Sequence, residues 1–302
     1  MLGSATSDDR QAAATVTRME VLIDSAALAD LLADPDDDHP LVILDVRWAL
    51  GDTHGRDHHL AGHLPGAVYV DLDRELAAPP SPEAGRHPLP EVADLQDAAR
   101  RWGIDQSSHI VIYDDVASMA AARAWWVLRW AGLYRVQILD GGLAAWRAAG
   151  GELVTGEVTP TPGTVVLSSG HLPVIDADGA AAIADDALDV LLDARAGERY
   201  RGETEPIDPV AGHIPGAVSC PTGTAMDADG RFRAAEVLRT QFAALGVAPD
   251  VAVASYCGSG VTAAHQVVAL TIAGFEDVAL YPGSWSQWCA DPDRPVATGE
   301  KP

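Results

Sequence analysis

The chain contains an internal repeat that is as long as a whole domain. Gly141 and its counterpart Gly283 are offset by 142 residues (283 − 141), and other motifs return at similar spacing. A period of this length indicates a duplicated domain rather than a short solenoid unit, so the 302 residues are predicted to form two domains of one fold. The repeated motifs are Leu44-Asp-Val-Arg with Leu192-Asp-Ala-Arg, Gly62-His-Leu-Pro-Gly with Gly212-His-Ile-Pro-Gly, and Gly141 and Trp146 with Gly283 and Trp288.

Short β-branched runs alternate with helix-like runs in both halves. The predicted strands are 41–46, 109–113 and 136–139, then 190–193, 251–256 and 278–281. The predicted helices are 92–102 and 120–130, then 234–245 and 262–273. This alternation is typical of an α/β fold, so each domain is predicted to be a doubly wound parallel sheet flanked by helices. Active sites of such sheets lie beyond the carboxyl ends of the strands.

Composition shifts suggest where the domains begin and end. Residues 1–18 are small and polar and are expected to form a mobile tail, without the basic start and apolar centre of a signal peptide. The first domain is expected over 19–155 and the second over 173–302. A linker is predicted over 156–172, because this stretch contains Pro160 and Pro162.

Charge and cysteine content exclude several classes of function. The net charge of −24 argues against binding nucleic acid or an anionic membrane, and no apolar run is long enough to span a bilayer. Three cysteines are too few and too scattered for a disulfide framework or a zinc cluster, so no metal or other cofactor is expected. A reducing cytoplasm fits this cysteine usage best. An anionic substrate would need a local cationic site.

Cys257 has the setting of a reactive thiol. It opens the run Cys257-Gly-Ser-Gly-Val-Thr-Ala between a predicted strand and a predicted helix. A glycine-bearing loop at that junction directs several backbone N–H groups at one point, which favours a thiolate. Cys220 and Cys289 lack such a setting. Cys220 is expected to lie in the core or to line the cleft, and Cys289 is expected to have no functional role.

The loop composition discriminates among thiolate chemistries. Phosphatase chemistry needs an arginine six residues after the cysteine, where this chain has Ala263. Thiol–disulfide exchange usually needs Cys-x-x-Cys, but Gly260 fills the second place. Sulfur-atom transfer through a persulfide is the chemistry that remains, with the loop amides and the hydroxyls of Ser259 and Thr262 as donors to the persulfide.

The repeat also predicts which half is active. The 142-residue offset places Asp115 opposite Cys257, so the first half has a carboxylate where the second has a thiol. Its loop also lacks both glycines. We therefore expect a single catalytic site, in the second domain, and we expect the first domain to line and complete its cleft.

The chain resembles the tandem-domain rhodanese family, the thiosulfate and 3-mercaptopyruvate sulfurtransferases. The resemblance covers about 21–299 and implies two rhodanese-like domains of which only the second is catalytic. The motifs that carry it are the two Asp-x-Arg segments, the two Gly-His-x-Pro-Gly-Ala segments, Gly85-Arg-His-Pro-Leu-Pro, Ala122-Arg-Ala-Trp-Trp, the Cys257 loop and Gly283-Ser-Trp-Ser-Gln-Trp.

The resemblance implies a donor and a set of site residues. Thiosulfate enzymes commonly carry Cys-Arg-Lys-Gly-Val-Thr, whereas mercaptopyruvate enzymes carry Cys-Gly-Ser-Gly-Val-Thr, which is the loop found here. In the latter, the serine works with a histidine and an aspartate of the first domain. Ser259 and His63 match two of them, and Asp57 or Asp52 would be the third. The loop residues expected to hold the transferred sulfur are Gly258, Gly260, Val261 and Thr262.

The family also places arginines on the donor carboxylate. Arg199 matches one of them, and a second is expected nine residues on, where this chain has Asp208. The second positive charge for the donor carboxylate would then be absent, or Arg201 or Arg86 would supply it. The paired Asp-x-Arg residues are expected to be structural.

The leading hypothesis is therefore an enzyme, a sulfurtransferase that takes sulfur from 3-mercaptopyruvate or thiosulfate onto Cys257. The expected acceptor is cyanide, a thiol or a thioredoxin-like partner. Alternatives are a thiosulfate-preferring rhodanese, a non-enzymatic sulfur-carrier or binding module, and a redox sensor that forms a Cys257 sulfenate.

Overall fold

The computed structural model describes residues 21–302, and its first half contains a five-stranded sheet. The predicted tail, 1–18, lies outside the described residues. The strands are β1 (Leu22–Ile23), β2 (Leu41–Asp45), β3 (Val68–Tyr69), β4 (His109–Tyr113) and β5 (Val136–Leu139). They lie side by side in the order β1-β5-β4-β2-β3, and all neighbours are parallel. The helices are α1 (Ser25–Ala33), α2 (Gly55–Ala61), α3 (Leu72–Glu75), α4 (Val92–Arg101), α5 (Met119–Trp130) and α6 (Gly142–Ala148).

The second half repeats this architecture with four parallel strands. They are β6 (Val190–Asp193), β7 (Val218–Ser219), β8 (Val253–Tyr256) and β9 (Val278–Leu280), in the order β7-β6-β8-β9. The helices are α7 (Ala177–Asp185), α8 (Gly197–Tyr200), α9 (Ala235–Ala243), α10 (Val261–Ile272) and α11 (Ser284–Trp288), with a 3₁₀ turn over Thr222–Ala225. The prediction of two α/β domains with parallel sheets is confirmed.

The predicted long elements are all present, with ends shifted by one or two residues. β8 begins later than predicted because Val251 donates its backbone N–H to the carbonyl of Ala248 and so belongs to a turn. The sequence analysis predicted four of the helices in residues 21–302 and missed the other seven, of which α1 and α7 are the longest. Each of these two begins after an aspartate, Asp24 or Asp176, whose carboxylate accepts a backbone N–H three residues on at 2.8 Å. That N-cap signal is readable in the sequence.

One large cluster of buried apolar residues spans both halves, and each half has a smaller cluster of its own. Helices α5 and α10 pack against each other, and buried residues of both, such as Trp126 and Leu270, belong to the same cluster. Arg123 in the first turns of α5 donates to the carbonyl of Gly260, the residue before α10, so the two helices meet near their N-terminal ends. Among residues 21–302, no helix is long and apolar enough to cross a membrane.

The segment predicted as a linker runs along the first domain. Val165 is buried and donates its backbone N–H to the carbonyl of Ile104, and Ser168 donates to the carbonyl of Ala131. Just beyond it, Val174 forms a parallel bridge with Leu280 of β9. The connection is therefore fixed to both halves by backbone hydrogen bonds.

Candidate active site

The Cys257 loop is a tight connection between β8 and α10. It has only four residues, 257–260, and Gly260 adopts a φ of +79° immediately before the helix. A methyl group on Gly260 would lie 2.7 Å from the carbonyl oxygen of Pro282. The positive φ and this close approach both require glycine. The loop is also fixed to α11, because the backbone N–H of Cys257 donates to Ser284 Oγ at 3.1 Å.

Backbone amides surround the Cys257 sulfur. Sγ accepts the N–H of Gly260 at 3.1 Å and that of Ser259 at 3.4 Å, and the side chain is buried. Fixed N–H donors stabilise a negative charge on the sulfur, or on a second sulfur attached to it. Val261 and Thr262 begin α10, and Thr262 is partly exposed.

Ser259 is hydrogen-bonded to a histidine of the first domain. Its Oγ lies 2.7 Å from Nδ1 of His87, and Nε2 of His87 lies 3.1 Å from Oδ1 of Asp73. Trp48 also donates its indole N–H to Asp73 at 2.9 Å. An ionised carboxylate only accepts, so in the neutral imidazole Nε2 carries the proton and Nδ1 accepts the hydroxyl of Ser259. The hydrogen bond from His87 holds the pKa of Asp73 below its usual range.

The structure does not bring His63 to Ser259. His63 is fully buried in its own domain, where Nδ1 donates to the carbonyl of His59 at 2.9 Å and the two rings stack at 4.0 Å. The corresponding His213 of the second domain makes the same kind of bond, to the carbonyl of Tyr200 at 2.7 Å. Both histidines therefore fix the turn of the repeated motif. The position expected for His63 is taken by His87.

The two candidate aspartates also lie apart from the serine. Asp57 is exposed and pairs with His54 at 3.1 Å, and Asp52 pairs with His58 at 3.0 Å. Their place is taken by Asp73, which follows β3. The sequence signal for His87 was the motif that begins at Gly85, which carried the family resemblance without an assigned role.

Four charged side chains lie at the mouth of the site. Arg199 binds Glu205 through Nε at 3.1 Å and Nη2 at 2.6 Å, and its Nη2 lies 3.3 Å from Asp208. Asp208 also accepts a hydrogen bond from Arg86 of the first domain. Burial raises the pKa of Asp208, and the charge of Arg86 opposes this. Two buried carboxylates thus balance two arginines. Arg201, the other candidate cation, pairs with Glu203 at the surface.

Arg123 of α5 crosses the domain interface to the Cys257 loop. It is fully buried and donates to the carbonyls of Gly260, His87, Pro88 and Leu76. Burial lowers its pKa to about 10, which leaves it charged at neutral pH, and the Cys257 thiolate acts in the opposite direction. It forms no ion pair among residues 21–302. In the sequence, Arg123 stood out only as part of the Ala122-Arg-Ala-Trp-Trp motif and had no assigned role.

The first-half loop corrects the alignment with Asp115. Tyr113 ends β4 as Tyr256 ends β8, so the residue in the place of Cys257 is Asp114. The carbonyls of Asp114 and Cys257 also have equivalent partners, because each accepts the N–H of a residue in the helix after the next strand, Leu143 of α6 and Trp285 of α11. The loop of the first half is one residue longer, and a fixed offset counted from the helix therefore falls on Asp115.

Asp114 fills the amide cradle of its own loop. Its carboxylate accepts the backbone N–H groups of Val116, Ser118, Ala120 and Ala121 at 2.8–3.0 Å. Burial raises its pKa to about 6, against the effect of these four hydrogen bonds. The carboxylate of Asp114 therefore occupies four backbone amides of this loop and of the start of α5, and these four are not available to an external anion.

The other two cysteines are separate from this chemistry. Cys220 and Cys289 are buried and free, and burial raises the pKa of the Cys220 thiol to about 12. Burial likewise raises the pKa of Cys289, to about 11. In the described part of the chain, no group of three or more His, Cys, Asp or Glu side chains could hold a metal ion.

The fold and this site define a tandem α/β protein with one cysteine loop, completed by side chains of the other domain. A sequence profile of the rhodanese-like domain matches 26–149 and again 176–291. The chain therefore belongs to the rhodanese-like family.

Several relatives are similar along nearly their whole length. A Pseudomonas aeruginosa protein, provisionally named as a 3-mercaptopyruvate sulfurtransferase, is 48% identical over 92% of this chain and 98% of its own. A Mycobacterium tuberculosis protein, provisionally named as a thiosulfate sulfurtransferase, is 46% identical over 93% and 98%. The solved structure of the 3-mercaptopyruvate sulfotransferase SseA of Escherichia coli aligns with a TM-score of 0.77 and 32% identity, covering 87% of this chain and 98% of that chain.

Proposed function

We propose that this protein is a sulfurtransferase that carries sulfur as a persulfide on Cys257. The observation that carries the proposal is the Cys257 sulfur held by two loop amides beside the Ser259–His87–Asp73 chain. The amides accommodate an anionic sulfur, and the hydroxyl–imidazole–carboxylate chain can move a proton at the same place. The names of the relatives support this assignment.

In the first half-reaction, the Cys257 thiolate attacks the sulfur of 3-mercaptopyruvate. An S–S bond forms, the C–S bond breaks, and the electron pair leaves on carbon as the pyruvate enolate. The enolate needs one proton, and the persulfide S–H releases one as it becomes the bound anion. Ser259, which donates to His87, is placed to pass a proton to the enolate, with Asp73 holding the imidazole in the required tautomer.

In the second half-reaction, a nucleophilic acceptor attacks the outer sulfur of the persulfide. The S–S bond breaks, and its electron pair returns to Cys257 as a thiolate, so the cycle is ping-pong. Cyanide, a small thiol or a thioredoxin-like protein has the required chemistry. The free cysteines support a reducing cytoplasm as the location.

We assign 3-mercaptopyruvate as the preferred donor. The loop side chains between Cys257 and Val261 carry no charge, which gives a dianion such as thiosulfate little attraction, whereas Ser259 can protonate an enolate. Donor binding is assigned to Arg199, Gly258 and the loop that continues through Gly260, Val261 and Thr262. A thiosulfate preference is the second candidate, and the name of the Mycobacterium tuberculosis relative favours it.

The test is mass spectrometry of the protein after incubation with each donor. The peptide that contains Cys257 should gain about 32 Da, the mass of one sulfur atom left by covalent catalysis. Cys289→Ser is the matched control and should still be loaded, whereas Cys257→Ser should not. If neither donor gives an adduct, the sulfurtransferase proposal is rejected, and a non-enzymatic binding module becomes the better explanation. An adduct of about 16 Da formed with peroxide alone would favour a redox sensor.

A further inference from the structure

Two guanidinium groups approach the Cys257 loop from different domains. A methyl group placed on Gly258 would lie 2.8 Å from Nη2 of Arg86 and 3.6 Å from Nη1 of Arg199. Both cations therefore border the same small space, one residue from the sulfur. A donor bound for attack by Cys257 would have its carboxylate within reach of either.

The guanidinium of Arg199 is largely occupied. Its Nε and Nη2 form the side edge of the fork, and both donate to the carboxylate of Glu205. Glu205 is itself only 4% exposed, so this pair is held inside the protein. A fork that already binds one carboxylate in two places has only Nη1 left for a second.

The guanidinium of Arg86 presents the opposite case. Only Nη1 is occupied, by the carboxylate of Asp208. Nε is buried and has no hydrogen-bond partner in the described structure, and Nη2, which faces Gly258, also has no acceptor among those residues. A desolvated donor without an acceptor is unfavourable, and a carboxylate that binds Nε and Nη2 together would satisfy both.

The backbone around Arg86 is fixed against the second domain. Gly85 has a φ of +87°, and a methyl group there would lie 2.6 Å from the carbonyl oxygen of Gly283. The N–H of Arg86 donates to Ser286 Oγ at 3.1 Å. Asp208 then fixes the far end of the side chain, so the position of Arg86 is set at both ends.

We propose that Arg86 is the main ligand of the donor carboxylate and that Asp208 is the residue that positions it. This inference rests on the proposed function and changes one part of it, because the role expected of Arg199 passes largely to a residue of the first domain. Because Glu205 and Asp208 neutralise the two arginines, recognition depends on the geometry of the Arg86 fork rather than on net positive charge.

The test compares 3-mercaptopyruvate with its methyl ester, which lacks the charged carboxylate. In Arg86→Gln the ratio of kcat/KM for acid over ester should fall roughly 10- to 100-fold, mainly through KM for the acid, as expected for loss of a charged bidentate contact. Arg86→Lys keeps the positive charge but lacks the bidentate guanidinium, so the ratio should also fall in this variant. The lysine variant provides a second measurement in case the glutamine variant does not fold. Arg201→Gln, at the surface, is the control and should leave the ratio unchanged.

Asp208→Asn tests the positioning role. It keeps an acceptor for Nη1 of Arg86 and should lower the ratio less than Asp208→Ala, again through KM with kcat preserved. An unchanged ratio in both Arg86 variants, with a large fall in Arg199→Gln, would overturn the inference. If only this inference fails, Cys257 of the wild-type protein still gains a sulfur atom from a donor. If the proposed function fails, Cys257 of the wild-type protein gains sulfur from neither donor.

Discussion

Removal of the Ser259 hydroxyl should affect one donor far more than the other. Ser259 Oγ is 2.7 Å from His87, and Ser259→Ala breaks the path by which a proton reaches the leaving enolate. General acid catalysis contributes about 10²–10⁴ in rate, which corresponds to about 2.7–5.4 kcal/mol of barrier. Sulfite leaves thiosulfate as a stable anion and needs no proton. We therefore expect kcat for 3-mercaptopyruvate to fall about 10²–10⁴-fold and kcat for thiosulfate to change less than about fivefold.

The assay is single-turnover loading of Cys257, followed by the release of pyruvate or sulfite. Thiosulfate serves as the internal control, because both donors use the same sulfur and the same amide cradle. Asp73→Asn should act in the same direction, because an amide N–H facing Nε2 favours the tautomer whose Nδ1 cannot accept from Ser259. An equal fall in kcat for both donors would refute the proton-transfer role of Ser259. Its role would then be limited to the structure of the loop.

Two further predictions concern buried charges. Arg123→Met should slow alkylation of Cys257 by iodoacetamide at pH 7 about tenfold, because a buried cation beside the thiolate is lost. Arg123→Lys keeps the charge and should slow alkylation less. Equal alkylation rates in Arg123→Met and the wild type would contradict this prediction. Burial lowers the pKa of His265 to about 3, so the folded state excludes a proton that the unfolded state binds below about 6.5. Unfolding free energy should therefore decrease between pH 6.5 and 3, and denaturant titrations of His265→Gln should show a smaller decrease.

The fold could be predicted because its determinants are local and repeated. Central strands such as β4 and β8 are buried on both faces, so they read as short apolar runs, and α5 and α10 read as helices through their length. The edge strands β1, β3 and β7 have two residues each and leave no periodic signal. Their pairing depends on the neighbouring strand rather than on their own sequence.

The position of Cys257 in a strand–loop–helix junction could also be predicted, since its setting is contained in one short segment of the chain. The partner of Ser259 could not, because His87 lies 172 residues away along the chain and reaches the serine only through the packing of the two domains. His63 had the more conspicuous motif. Its burial against His59 shows that the motif serves the turn, and nothing in a single sequence separates that role from catalysis.

The duplication explains why each half has a different part of the site. In the first half Asp114 satisfies its own loop amides, so that loop is stable without a ligand but has lost the ability to hold an anionic sulfur. In the second half the two loop amides donate to the sulfur of Cys257, and no other acceptor for them is found among the described residues. A first domain relieved of that task is free to contribute side chains to its neighbour, and His87, Arg86 and Arg123 all reach the Cys257 loop from that side. The proposed active site therefore lies at the interface between the halves, and neither domain supplies all of its side chains alone.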